Sequence, residues 1–172
     1  MVRHFVLLAA GTPGAATLRL AFDYEFSGGV APAGAAPWFV ATFEDAAPGK
    51  VRLTMSVVDL SCAEFIASTY FNLDPGLSPA NLGVRFAGGV AASQVTGAAD
   101  CCKADGGGYY DLRFSYSAHA LGVGTESVYL LSYSGTDAFG ARSFAYLGAP
   151  SGGHGPFYAA VLGIARLRPR QA

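Results

Sequence analysis

Apolar residues fall on every second position through Leu18, Leu20, Phe22, Tyr24 and Phe26, and again through Tyr110, Leu112, Phe114 and Tyr116. This is the two-residue period of a strand with one packed face. The intervening Arg19, Asp23, Glu25, Asp111, Arg113 and Ser115 are polar, so the other face is predicted to meet solvent, as in antiparallel sheets. Further strands are predicted over Trp38 to Phe43, Val51 to Val58, Ser68 to Leu73, Leu82 to Phe86, Ala92 to Thr96, Ser127 to Tyr133 and Phe157 to Leu167, separated by Gly, Pro, Asp and Ser turns. Short helical turns are predicted at Ala63 to Ala67 and Asp137 to Phe144, and a flexible loop at Ser27 to Pro37. About eight to ten strands without a sustained helical period between them predict an all-β fold, an antiparallel β-sandwich of jelly-roll type.

At 172 residues the chain suits one domain, predicted over 17–168, with 169–172 as a tail. The start, Met1-Val-Arg-His-Phe-Val-Leu-Leu-Ala-Ala10 followed by Gly14-Ala15-Ala16, has the basic opening, apolar stretch and small-residue exit of a secretory signal peptide. Residues 1–16 therefore read as a signal peptide or its remnant, the other reading being a strand extension running into Thr17. No stretch reaches the roughly 20 apolar residues of a membrane helix. A net charge of -1 argues against nucleic acid, which needs clustered Lys and Arg. Charged residues make up 13% of the chain, against roughly 25% in ordinary domains, so the surface is weakly protected against self-association.

Several short blocks then occur in order: Trp38-Phe-Val-Ala-Thr-Phe-Glu-Asp45, Val51-Arg-Leu-Thr-Met-Ser56, Glu64-Phe65, Tyr70-Phe-Asn-Leu-Asp-Pro75, Lys103-Ala-Asp-Gly-Gly-Gly-Tyr-Tyr-Asp111, Glu126-Ser-Val-Tyr129, Ser143-Phe144 and Gly152-Gly-His-Gly-Pro-Phe-Tyr158. Together they resemble secreted bacterial proteins of the PEP-CTERM (exosortase-sorted) kind, over about Trp38 to Gly163. The resemblance implies export and a link to extracellular polysaccharide, biofilm or floc formation rather than a reaction. The sorting signal of such proteins, Pro-Glu-Pro with a membrane helix and basic cluster, is not in this sequence, which runs to Ala165-Arg-Leu-Arg-Pro-Arg-Gln-Ala172. Exosortase processing is thereby in question.

Three kinds of chemistry are weighed on top of this. Asp100, Asp105 and Asp111 around Gly106-Gly-Gly108 offer carboxylates on a loop able to wrap calcium. Relatives of the kind named above often carry another Asp where Gly107 stands, and a Gly-rich turn into a strand explains the same residues. Asp74 before Pro75 reads as a turn starter. Trp38, Tyr109, Tyr129 and Tyr158, with Phe39, Tyr70, Tyr110 and Tyr133, are candidates for an aromatic platform that stacks on sugar rings, core packing being the plainer account. Glu64, Asp111 and Glu126 are candidates for the carboxylate pair of a glycoside hydrolase. No Gly-x-Ser-x-Gly elbow is present, and His4, His119 and His154 belong to no nucleophile motif.

The three cysteines lack Cys-x-x-Cys spacing. Pairing Cys62 with Cys101 or Cys102 would close a loop of roughly 40 residues and stabilise by a few kcal/mol. A bond between the adjacent Cys101 and Cys102 is the sterically harder pairing, and no bridge is the remaining reading. Arg166, Arg168 and Arg170 alternate in the tail and would suit anionic polysaccharide or a solvated chain end. These readings converge on a secreted, non-catalytic cell-surface or extracellular-matrix component whose partners are its own copies or extracellular polysaccharide. No cofactor is required beyond optional calcium. A carbohydrate-binding module and a hydrolase are the alternatives.

Overall fold

The computed structural model of the chain describes residues 15–104, 106–151, 153 and 155–163 in full, and 2–9 and 164 by their backbone. Eleven strands follow in order: β1 (Val2–Ala9), β2 (Thr17–Glu25), β3 (Phe39–Ala47), β4 (Lys50–Val57), β5 (Phe65–Phe71), β6 (Leu82–Gly89), β7 (Gln94–Lys103), β8 (Tyr109–Ser115), β9 (Leu121–Gly122), β10 (Glu126–Tyr133) and β11 (Ala159–Ile164). Two 3-10 turns, Pro79–Asn81 and Ala141–Phe144, are the only helical elements among the described residues. The second lies inside the turn predicted at 137–144. The first predicted turn, Ala63 to Ala67, is instead the entry to β5. Phe65 and Ile66 there pair with Ile164, Gly163 and β9, because their side chains are worth more in the core than in one isolated helical turn.

One antiparallel hydrogen-bonded path runs β6-β10-β4-β3-β2-β1-β11-β5-β8-β7, with β9 attached to β5. It folds over into two layers, β6-β10-β4-β3-β2 against β11-β5-β8-β7. Rings interlock across the gap: Phe43 of β3 meets Phe71 of β5 at 5.2 Å and Phe114 of β8 meets Tyr129 of β10 at 4.7 Å. Thr69 also donates to the Met55 sulfur at 3.3 Å. Between β4 and β7 the chain alternates between layers, the jelly-roll habit, while β2-β3-β4 stays within one layer as a meander. The strand β1 carries the path round one flank, pairing with β2 along its length and with β11 at Val2 and Val161. At the other flank the path ends on β6 and β7.

The two-residue period survives in three dimensions. Leu18, Leu20 and Phe22 of β2 and Leu112 and Phe114 of β8 lie in the main core with Phe43, Leu53, Met55 and Phe144. Solvent does not own every outer face, however. Tyr70 of β5 and its partner Ala160 of β11 point away from that core and form a second cluster with Cys102, Ala104 and Tyr110. The Gly107 carbonyl accepts a hydrogen bond from the hydroxyl of Tyr110 in this cluster at 3.1 Å.

The segment predicted as a flexible loop is fastened. The Ala33 amide donates to Glu64 Oε1 at 3.0 Å, Ala35 to Asp59 Oδ2 at 2.8 Å, and Trp38 Nε1 to the Gly34 carbonyl at 2.7 Å. Gly34 runs so close to Asp59 that a Cβ there would stand 2.2 Å from the Asp59 carbonyl oxygen.

Candidate functional site

A cleft of about 340 Å³ opens where the chain leaves β5, between the 72–79 segment, β7 and the 146–149 segment. Its volume falls in the roughly 300–1,000 Å³ range of small-molecule sites. One wall begins at Asn72, immediately after β5, which is 3% exposed. Its Nδ2 donates to the carbonyls of Tyr146, Phe157 and Tyr158 at 3.1, 3.2 and 2.9 Å. Three carbonyls around one nitrogen fix the orientation of the amide. Gly148 permits this closeness, since a Cβ there would stand 2.7 Å from the Tyr109 carbonyl and 3.2 Å from Asn72 Oδ1.

Asp111 forms the floor. The β7–β8 register jumps from Gly97 opposite Leu112 to Cys102 opposite Tyr110, leaving residues 98–101 bulged out opposite a single residue. Such a bulge strands backbone donors. The Asp111 carboxylate takes one of them, accepting from the Asp100 amide at 2.9 Å on Oδ1 while Oδ2 accepts from Leu73 at 2.9 Å. Asp100, which also lines the cleft, is held at φ 48°, a left-handed conformation that Asp tolerates better than most residues. Asp74 does begin a turn, accepting from Gly76 at 2.8 Å on Oδ1. Its Oδ2 accepts from the Tyr146 hydroxyl at 2.7 Å, which raises the tyrosine pKa above its ordinary value. Tyr146 and Leu147 are 37% and 50% exposed and give the rim apolar surface.

The other predicted groups distribute as follows. Asp100 and Asp111 are brought together, while Asp105 lies outside the described residues. Among the described residues no group of three or more His, Cys, Asp or Glu is arranged to hold a metal ion. Of the aromatic candidates, Trp38 and Tyr129 are buried in the main core, Tyr129 accepting from the Ala92 amide at 2.7 Å, and Tyr158 packs on its edge. Tyr109 is exposed at the surface with the Lys103 ammonium 5.7 Å from its ring centre. These four rings do not form one face.

Of the carboxylates Glu64, Asp111 and Glu126, only Asp111 lines the cleft. Glu64 is buried and turned to backbone amides, those of Ala33 and Ser61, the latter at 2.8 Å.

Cysteine pairing differs from the long-loop bridge. Cys101 is bonded to Cys102 at the end of the bulge, and Cys62 is a free, exposed thiol. The fold decides this: Cys102 sits in the second cluster on the outer face beside Tyr70, whereas Cys62 lies in the exposed β4–β5 connection. His154 and the arginines Arg166, Arg168 and Arg170 lie outside the described residues.

Asn72, Tyr146 and Leu147 were invisible as site residues in the sequence. Their one signal was the Asn72-Leu-Asp-Pro-Gly76 string, which marks a turn but cannot say that a segment 74 residues away closes over it. No protein-family model, curated protein or solved structure matches the chain.

Proposed function

We propose that this chain is an exported, non-catalytic component of the cell surface or extracellular matrix that associates with its own copies along the open flank of the sandwich. The observation that carries the reading is the asymmetry of the two flanks. One is closed by β1, and the other ends on β6 and β7, whose outer edges pair with no further strand among the described residues. An unpaired edge is a template for a strand from another copy.

Along β6 the straight stretch from Leu82 to Phe86 carries a single charge, Arg85, and Phe86 is partly exposed, as is Val95 on the β7 edge. On β7 the bulge at 98–101 interrupts the ladder, so β6 is the better template. Export is supported by the block resemblance to exosortase-sorted proteins and by a Cys101–Cys102 bond of the kind that persists in oxidising compartments. The described residues contain no helix long and apolar enough to cross a membrane.

Sedimentation velocity across a wide concentration range tests the association. The wild-type chain is expected to form concentration-dependent oligomers, and Phe86→Lys and Val95→Lys to reduce them while keeping the wild-type unfolding curve. A wild-type chain that stays monomeric throughout, or variants that assemble unchanged, would overturn the reading. Recovery of the full chain only from the cytosol of expressing cells would overturn the exported part of it.

A further inference from the structure

We propose that copies of this chain join end to end by a covalent bond, the Cys62 thiol of one copy exchanging into the Cys101–Cys102 disulfide of the next. This deepens the self-association reading and rests on its premise that copies meet outside a reducing compartment. The chain carries both halves of the reaction: a free, exposed thiol at Cys62 and a disulfide whose Cys101 side is exposed.

The two groups stand at opposite ends of β5. Cys62 lies in a turn closed by the Glu64 amide, which donates to the Ser61 carbonyl at 2.9 Å directly before Phe65 opens the strand. At the far end, the amides of Leu73 and Asp100 both donate to the Asp111 carboxylate at 2.9 Å, which places the 98–101 bulge just past Phe71, where the strand stops. A strand of 7 residues at about 3.3 Å per residue holds these ends roughly 20 Å apart, against about 2.05 Å for a disulfide bond. Cys62 therefore cannot reach the disulfide of its own copy. The contact with another copy joins two different surfaces, so each pair still offers a Cys62 thiol at one end and an intact Cys101–Cys102 bond at the other. Contacts of this heterologous kind build open chains unless the rotation closes a ring.

The exchange needs no oxidant. The Cys62 thiolate attacks Cys101 Sγ, the Cys62–Cys101 bond forms as the Cys101–Cys102 bond breaks, and the electron pair leaves on Cys102, which takes up the proton that Cys62 gave up. Burial selects the sulfur attacked. Cys102 is 2% exposed and packed with Tyr70, Ala104, Tyr110 and Ala160, so the incoming thiolate meets Cys101 and Cys102 is the leaving group. The freed thiol stays in that apolar cluster as a small hydrophobe, where burial makes it a poor nucleophile for the return step. Adjacent residues also hold their Cα atoms about 3.8 Å apart, closer than the roughly 4.4–6.8 Å that a disulfide ordinarily spans, a restraint that a bond between copies escapes.

The test incubates the full chain, concentrated and under argon without oxidant, quenches it with an alkylating agent and reads non-reducing electrophoresis. A ladder of dimer, trimer and higher forms is expected, collapsing to monomer on reduction, and peptide mapping of the dimer should find Cys62 joined to Cys101. Thiols counted in the denatured chain should stay at one per copy while those reactive in the native chain fall. Cys62→Ser removes the nucleophile, and Cys101→Ser combined with Cys102→Ser removes the electrophile. Each should abolish the ladder, and mixing the two variants should restore a dimer and nothing larger.

No ladder from the wild type, a dimer bridged from Cys62 to Cys62, or no dimer from the mixture would each overturn the proposal. Sedimentation in the presence of a reductant reads the strand-edge association alone. Phe86→Lys should keep the covalent ladder, and its loss there would overturn the end-to-end geometry.

Discussion

Glu64 is the sharpest place to ask whether a buried carboxylate here is chemistry or architecture. It is 4% exposed, and its two oxygens accept from the amides of Ala33 and Ser61, tying the 27–37 segment to the β4–β5 connection. Hydrogen bonds to a charged acceptor contribute about 1.5–3 kcal/mol each, and a buried donor left unpaired costs its desolvation as well. Glu64→Gln preserves shape but turns an NH₂ toward one of the two amides, so the loss should be about 2–3 kcal/mol. Glu64→Ala removes both bonds and should cost about 3–5 kcal/mol. For a domain of this size, the Gln variant should then melt roughly 4–10 °C below wild type. Trp38 is the only tryptophan and bonds Gly34 within the same segment, so urea unfolding followed by its fluorescence reports the relevant region directly. If Glu64→Gln unfolds within about 0.5 kcal/mol of wild type, the staple carries no weight and the reading of Glu64 as architecture fails.

Four further outcomes follow from the structure. The bridge between adjacent Cys101 and Cys102 closes almost no loop, so its reduction should move the urea midpoint by less than about 1 kcal/mol, where a Cys62 bridge over roughly 40 residues would be worth several. Thiol titration of the unreduced native chain should find one reactive group, Cys62, and a count of zero would refute the pairing. Burial pushes the phenols of Tyr110 and Tyr116 well above their ordinary value of 10, Tyr70 adding to the first and Tyr129 to the second, against a smaller opposing pull from the Ser127 hydroxyl. The unfolded chain thus releases these protons first, so this stability is intact below about pH 10 and is lost as pH climbs toward the folded values. A urea midpoint that stays level from about pH 9 to pH 11 would contradict this. Gly34→Ala, whose Cβ would meet the Asp59 carbonyl at 2.2 Å, should cost about 1–3 kcal/mol by thermal unfolding, and a neutral result would mean the segment is free to shift.

Alternation made most of the strands legible before any coordinates. The alternating runs from Leu18 to Phe26 and from Tyr110 to Tyr116 each fall within about a residue of β2 and β8, because one dry face imposes the period on the chain. It failed where that physical premise failed. The strand β5 is buried along nearly its whole length, so its polarity does not alternate, and its first residues were misread as a helical turn. The strand β7 runs on past Thr96 to Lys103, but its bulge at 98–101 breaks the period, and most of its residues are exposed. Half of the cleft was legible as the acids Asp100 and Asp111. The other half, Asn72 with Tyr146 and Leu147, depends on closure between distant segments that no local pattern encodes.

The acidic residues show why a carboxylate is a weak signal in a chain such as this one. Asp45 accepts from Ala16 and Ala141, Asp59 from Ala35, Glu64 from Ala33 and Ser61, Asp74 from Gly76, and Asp111 from Leu73 and Asp100. A sandwich whose strands cross repeatedly between layers has many connections, and each connection strands backbone amides that no ladder can satisfy. A carboxylate accepts two such donors at once and, being charged, holds them more firmly than a neutral side chain would. With only 12 Asp and Glu in 172 residues, a large share of the acidic side chains is therefore committed to holding loops in place. Asp100 is used differently: it gives its backbone amide to Asp111 and is itself one of the residues that line the cleft.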